Sequence, residues 1–131
     1  MPTDPITEVR TFTVSTPAGT AIATPLVTAL AMPARIVERV RLRVPPGPLG
    51  NLGVALGLAG VQVIPWNVGE WLVMDDETLD WPLEGQPTSG AWQLRTYNVG
   101  KYPHLVYVTF LLRPPQTVGG PAFLSPLNLN G

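Results

Sequence analysis

The stretch Arg35-Ile36-Val37-Glu38-Arg39-Val40-Arg41-Leu42-Arg43-Val44 decides the fold class. Val40, Leu42 and Val44 alternate with Arg39, Arg41 and Arg43, which puts apolar groups on one face and charge on the other with a period of two. Glu38 interrupts the apolar face near its start, and Ile36, Val37 and Val40 have the spacing of a helix face. Pro33 before the stretch and Pro45-Pro46 after it leave little room for a helix, and valines stiff at χ1 favour a strand.

Reading outward, residues 52–59 alternate more strictly, with Leu52, Val54, Leu56 and Leu58 set against Gly53, Ala55, Gly57 and Ala59. A strand with only Gly and Ala on its second face lets another surface come very close, either a neighbouring subunit or a part of the same chain. Further strand candidates are 7–15, 21–30, 61–65, 71–74, 78–83, 91–98 and 104–112, separated by turn sequences such as Thr16-Pro17-Ala18-Gly19 and Pro45-Pro46-Gly47-Pro48. Pro25 demotes its run to an edge strand, and a link of about five residues containing Gly100 suggests that 91–98 and 104–112 form a hairpin. Eight or nine short strands without a convincing helix predict an all-β fold, a single jelly-roll-like antiparallel β-sandwich of about eight strands. The sandwich is expected over residues 6–113, with a short N-terminal arm at 1–5 and an extended uncharged arm at 114–131.

Composition agrees with one small core and narrows function. The chain has 131 residues with 13% charged and 45% apolar, against roughly 25% charged in an ordinary soluble domain. Sixteen prolines and thirteen glycines approach the range of disordered chains, but four Trp, three Tyr and three Phe supply the area needed to order a core. Without cysteine there is no disulfide scaffold, thiolate metal site or cysteine nucleophile. A net charge of −1 with one lysine argues against a nucleic-acid partner. The longest apolar run, 52–64, is too short for the roughly 20 residues that a membrane helix needs, and no membrane partner is expected. The N-terminus shows neither a basic region nor an apolar one, so no secretory signal is expected. Positive mean hydropathy in such a chain suggests that partners cover part of its surface.

Charge is segregated along the sequence. Residues 1–50 carry five arginines against three acids, residues 51–94 carry six acids and no base, and residues 95–131 carry three bases and no acid. That pattern suits either head-to-tail docking through groups such as Arg39, Arg41 and Arg43, or ordinary solvated loops. The last 18 residues have no charge and place Phe123, Leu124, Leu127 and Leu129 among prolines, unlike a solvated tail. They are read as an arm that contacts a partner, with a fold-back onto the chain's own sandwich as the competing reading.

Candidates for chemistry are few. His104, the single histidine, shares a strand face with Val106, Val108 and Phe110 and reads as a core or rim residue. The acidic and aromatic cluster is the sharpest: Glu70, Asp75, Asp76, Glu77, Asp80 and Glu84 within 15 residues, beside Trp66, Trp71 and Trp81, with Trp92 close behind. Carboxylates beside aromatic platforms suit a sugar-binding surface, with Trp66, Trp71, Asp75 and Asp76 as glycan contacts. Only Glu70, Asp75, Asp76 and Asp80 would serve acid–base catalysis. The simpler reading has Asp75-Asp76-Glu77 as an exposed turn and the tryptophans as core. The aspartates lack the spacing of a calcium loop. No catalytic, cofactor or metal residue is assigned, and the chain is expected not to be an enzyme.

Several of these pieces together resemble a known group: Arg41-Leu42-Arg43-Val44-Pro45-Pro46-Gly47-Pro48-Leu49-Gly50, Ile64-Pro65-Trp66, Trp71-Leu72-Val73-Met74-Asp75-Asp76, Ser89-Gly90-Ala91-Trp92, and Tyr97-Asn98 followed by His104. Over roughly residues 11–112 the chain is similar to small β-sandwich proteins encoded in the structural-gene regions of tailed bacteriophages, particularly phages of actinobacteria. The resemblance implies a virion component assembled in the host cytoplasm, of head-decoration or tail-accessory type. Its implied partners are the major capsid protein or other virion subunits, in a homo-oligomer expected to be a trimer. A tail-tip or receptor-binding module is the alternative.

Overall fold

The structure, a computed structural model, describes residues 8–65, 67, 69–87 and 91–114. Among the described residues nine strands form: β1 (Glu8–Thr16), β2 (Leu26–Ala29), β3 (Ile36–Val44), β4 (Leu52–Leu58), β5 (Val61–Ile64), β6 (Leu72–Val73), β7 (Glu77–Pro87), β8 (Trp92–Asn98) and β9 (His104–Arg113). One antiparallel sheet has the order β1-β9-β3-β7, and the second the order β2-β8-β4-β5 with β6 also on β4. β5 pairs with Leu56–Leu58 of β4 and β6 pairs with Gly53 and Val54, so the two are halves of a single edge row. The chain therefore fills eight strand positions with nine strands.

The pairs β1·β9, β2·β8, β3·β7 and β4 with β5 and β6 are nested, first with last and so inward. A long antiparallel ribbon wrapped in this way, and closed by β9 on β3 and β8 on β4, is a jelly roll. The expected sandwich is thus observed. β2 is an edge strand, as expected, but it begins after Pro25 rather than containing it. The expected hairpin of 91–98 with 104–112 does not form. β8 and β9 lie in opposite sheets, and the link between them crosses the end of the sandwich. A short glycine-containing link serves a crossover as well as a hairpin; hydrogen bonds made by Asn98, described below, hold it in the crossover.

The core comes from the inward faces of both sheets. Val40, Leu42, Val44, Val106, Val108 and Phe110 meet Leu52, Val54, Leu56, Trp92 and Leu94, all essentially inaccessible. The Phe110 ring receives Phe12 edge-on at 5.9 Å and Trp92 at 5.3 Å. The anomaly at Glu38 is a β-bulge. Both ladders of β3 shift register between Val37 and Arg39, so Val37 and Val40 face the core although three positions apart. Glu38 is turned to the flank, where Arg113 Nε donates to its Oε2 at 2.6 Å.

Candidate interaction surface

The end of the sandwich at which β3, β8 and β6 finish and β4, β9 and β7 begin is built around one buried amide. Asn98 Nδ2 donates to the carbonyl oxygens of Thr16 at 3.0 Å and Tyr102 at 2.8 Å, and Gly100 N–H donates to Asn98 Oδ1 at 3.0 Å. The backbone N–H of Asn98 donates to Thr20 O, and Val99 N–H donates to Asn51 O. Beside it, the Thr16 hydroxyl donates to Thr96 Oγ1 at 2.8 Å and links the two sheets. One side chain thereby fixes the β1–β2 turn and the 99–103 crossover, and its neighbour Val99 joins them to the β3–β4 loop.

On this base stands an apolar rim. Leu49 is 80% exposed, Tyr102 72% and Val99 53%. Leu49 and Gly50 have φ values of 51° and 87°, a turn closed by Asn51 N–H donating to Pro48 O. A left-handed leucine costs about 1 kcal/mol or more because its Cβ crowds the next carbonyl oxygen. Two concavities flank His104. One of about 320 Å³ is lined by Leu49, Val99, Tyr102 and Lys101 among others, and one of about 190 Å³ by Pro45, Pro46, Pro103 and Leu105. Among the described residues, Lys101 is the one side chain of fixed charge in either lining. His104 itself is half-buried against Gly47, whose added Cβ would sit 3.5 Å from His104 Cε1, so it is a rim residue.

Of the residues singled out in the sequence, His104 and Asp75 lie at this end and the three arginines lie along β3. Arg39 and Arg41 both donate to Asp80, at 2.9 and 3.0 Å, and Arg43 Nη2 donates to Asp76 Oδ1 at 2.8 Å. Asp76 and Asp80 of segment 51–94 thus meet three arginines of segment 1–50 within one chain, along the β3–β7 ladder. The two guanidinium groups, Arg41 first, hold the Asp80 carboxyl below the usual aspartate range. Arg10 and then Arg35 do the same for Glu8 on β1.

Asp75 accepts from Gly47 N–H at 2.9 Å and so fastens the β6–β7 turn to the β3–β4 loop. Trp71 lies away from the core, on the outer face of the second sheet. Tyr97 meets its ring edge-on at 5.0 Å, and the Arg95 guanidinium sits 5.5 Å from its centroid. Trp92 does fill the core, as expected, but Trp71 does not. Its face is occupied by Arg95, and it is not brought together with Asp75 and Asp76, which bind the β3–β4 side. Trp66, Phe123, Leu124, Leu127 and Leu129 lie outside the described residues, as do the arm at 1–5 and all of the 114–131 arm except Pro114. Among the described residues no three His, Asp or Glu side chains gather as metal ligands.

Sequence reasoning missed Leu49, Val99 and Tyr102. Pro48-Leu49-Gly50 carried a signal, since a large apolar residue inside a turn sequence has no core to enter. The second sheet's Gly/Ala face is covered from within the chain at Gly53, while Gly57 is half-exposed and Ala59 exposed. A Cβ on Gly53 would lie 2.0 Å from Tyr97 Cε2.

Fold and surface together define a jelly-roll β-sandwich with an exposed apolar rim at one end, beside the acidic β6–β7 turn. No family model matches the chain, and no curated protein matches it. Among solved structures, it is similar to a chain in the X-ray crystal structure of tomato aspermy virus, with 11% identity over 90% of this chain and 82% of that chain and a TM-score of 0.49.

Proposed function

We propose that this chain is a non-enzymatic structural protein of a bacteriophage virion, a capsid decoration or cement protein that binds the shell as an oligomer. The observation that carries this reading is the exposed apolar rim, with Leu49, Val99 and Tyr102 displayed on a rigid, hydrogen-bonded base. Folding gains little from such exposure, whereas burial against a partner would return roughly 25 cal/mol for each Å² covered. The resemblance of residues 11–112 to phage structural-region proteins supplies the setting. The jelly roll suits it, being an architecture shared by capsid proteins, lectins and cupins. The partners in this reading are the major capsid protein and further copies of the chain, and the location is the virion.

Immunogold labelling of intact particles with an antibody to this protein tests the proposal. Label spread over the head is the expected result. Label confined to the tail tip replaces decoration with a receptor-binding role, and absence of label from the particle overturns the virion reading. Failure of the purified protein to bind empty shells of its phage overturns the cement role.

A further inference from the structure

We infer that the apolar rim of one copy receives the C-terminal segment of a second copy, residues 115–131, so that the chains associate head to tail. The occupant is chosen by chemistry and by position. The rim offers Leu49, Val99, Tyr102 and four prolines, with Lys101 its one fixed charge among the described residues. The segment offers Val118, Phe123, Leu124, Leu127 and Leu129 between prolines, with no charge in 17 residues. Extended proline-rich chains dock on grooves walled by aromatic and proline side chains at low entropic cost, because they are already partly ordered before binding.

Position favours a neighbour. β9 begins at the rim with His104 and ends at Arg113, a strand of ten residues, which places the exit of the segment about 30 Å away at the opposite end of the sandwich. A copy stacked end to end presents its rim directly at that exit. To reach its own rim, the segment would have to run back along the full length of its own domain. The contact uses two different surfaces, so it is heterologous and propagates into a ring or a row rather than closing as a two-fold dimer. The left-handed Leu49 belongs to this contact. The chain holds an apolar side chain outward on unfavourable backbone, which packing of the monomer does not reward and association does.

The inference rests on the oligomeric part of the proposed function, and a solution experiment separates the two, since immunogold localisation does not depend on it. The chain has no cysteine, which permits site-directed cross-linking of the full-length protein. Chains carrying Tyr102→Cys are mixed with chains carrying Phe123→Cys or Leu127→Cys and oxidised with diamide. The expected product is a mixed disulfide dimer, formed in preference to either self-paired dimer. A doubly substituted chain that closes only on itself, with no mixed dimer, overturns the inference in favour of a fold-back. Absence of any cross-link between rim and segment overturns it outright. Sedimentation of the full-length Leu49→Ser/Tyr102→Ser variant gives a second reading. Association weakened by about tenfold or more with an unchanged Tm is expected, and an unchanged association constant counts against the contact.

Discussion

Asn98 is fully buried and still makes every contact that its amide geometry allows on this side of the fold. Truncation strands the buried Thr16 carbonyl and removes two part-buried bonds that hold the crossover, those to Tyr102 O and from Gly100 N–H. Asn98→Ala is therefore expected to cost about 2–3 kcal/mol in urea unfolding, well above a typical surface change. Gly53 fails for the opposite reason. A methyl group there occupies space held by the Tyr97 ring, which is wedged against Trp71. Gly53→Ala should destabilise by about 2 kcal/mol, and Tyr97→Leu in the same chain should recover part of that loss, which a double-mutant cycle measures. A plain additive result would place the clash elsewhere. Neither role is legible in sequence. An Asn in a turn and a Gly in a strand have common local explanations, and only the tertiary neighbours select among them.

At the scale of elements, the alternation in β3 and β9 is readable because each strand buries one face, and a period of two is what that geometry writes into a sequence, whereas β4 is buried on both faces over residues 52–56 and alternates in side-chain size instead. The bulge at Val37/Arg39 broke the pattern and imitated a helical spacing, since Glu38 is an extra residue between the partners of Leu112 and Leu111 on β9. Charge segregation was equally visible, but its target was not. The ladder of β3 on β7 brings Arg39 and Arg41 to Asp80 inside the chain. Because Asp80 has its pKa lowered in the folded state, its contribution to stability is present above the ordinary aspartate range and is lost as pH falls through the lowered value. Asp80→Asn should lower Tm modestly at about pH 6, and its difference from the parent should shrink and vanish as pH falls through the lowered value. A gap between the two that persists in acid would assign the loss to packing rather than charge. The group is solvent-exposed, so the effect is small and weakens with added salt.

For the whole molecule, the nested pairing makes β9 indispensable, since it is the strand between β1 and β3 and carries Val106, Val108, Phe110 and Leu112 into the core. Sequence reasoning reached the sandwich but paired β8 with β9, because pairing of neighbours is the commoner outcome and the order of strands depends on contacts far apart in the chain. The apolar rim was not foreseen at all, as exposure is decided only once the core has chosen its members. These facts fix what a truncation should do. The core cluster is drawn from residues 14–112, and the last strand closes at Arg113. A chain ending at Pro114 is therefore expected to keep its β-type circular dichroism and its Tm to within about 2 °C, while losing self-association in sedimentation and binding to empty shells. A chain ending at Leu105 should not fold. If the Pro114 truncation instead unfolds at markedly lower temperature, the apolar segment stabilises its own sandwich. If it folds and still associates as the full chain does, the contacts between copies lie on the sandwich and not in the segment.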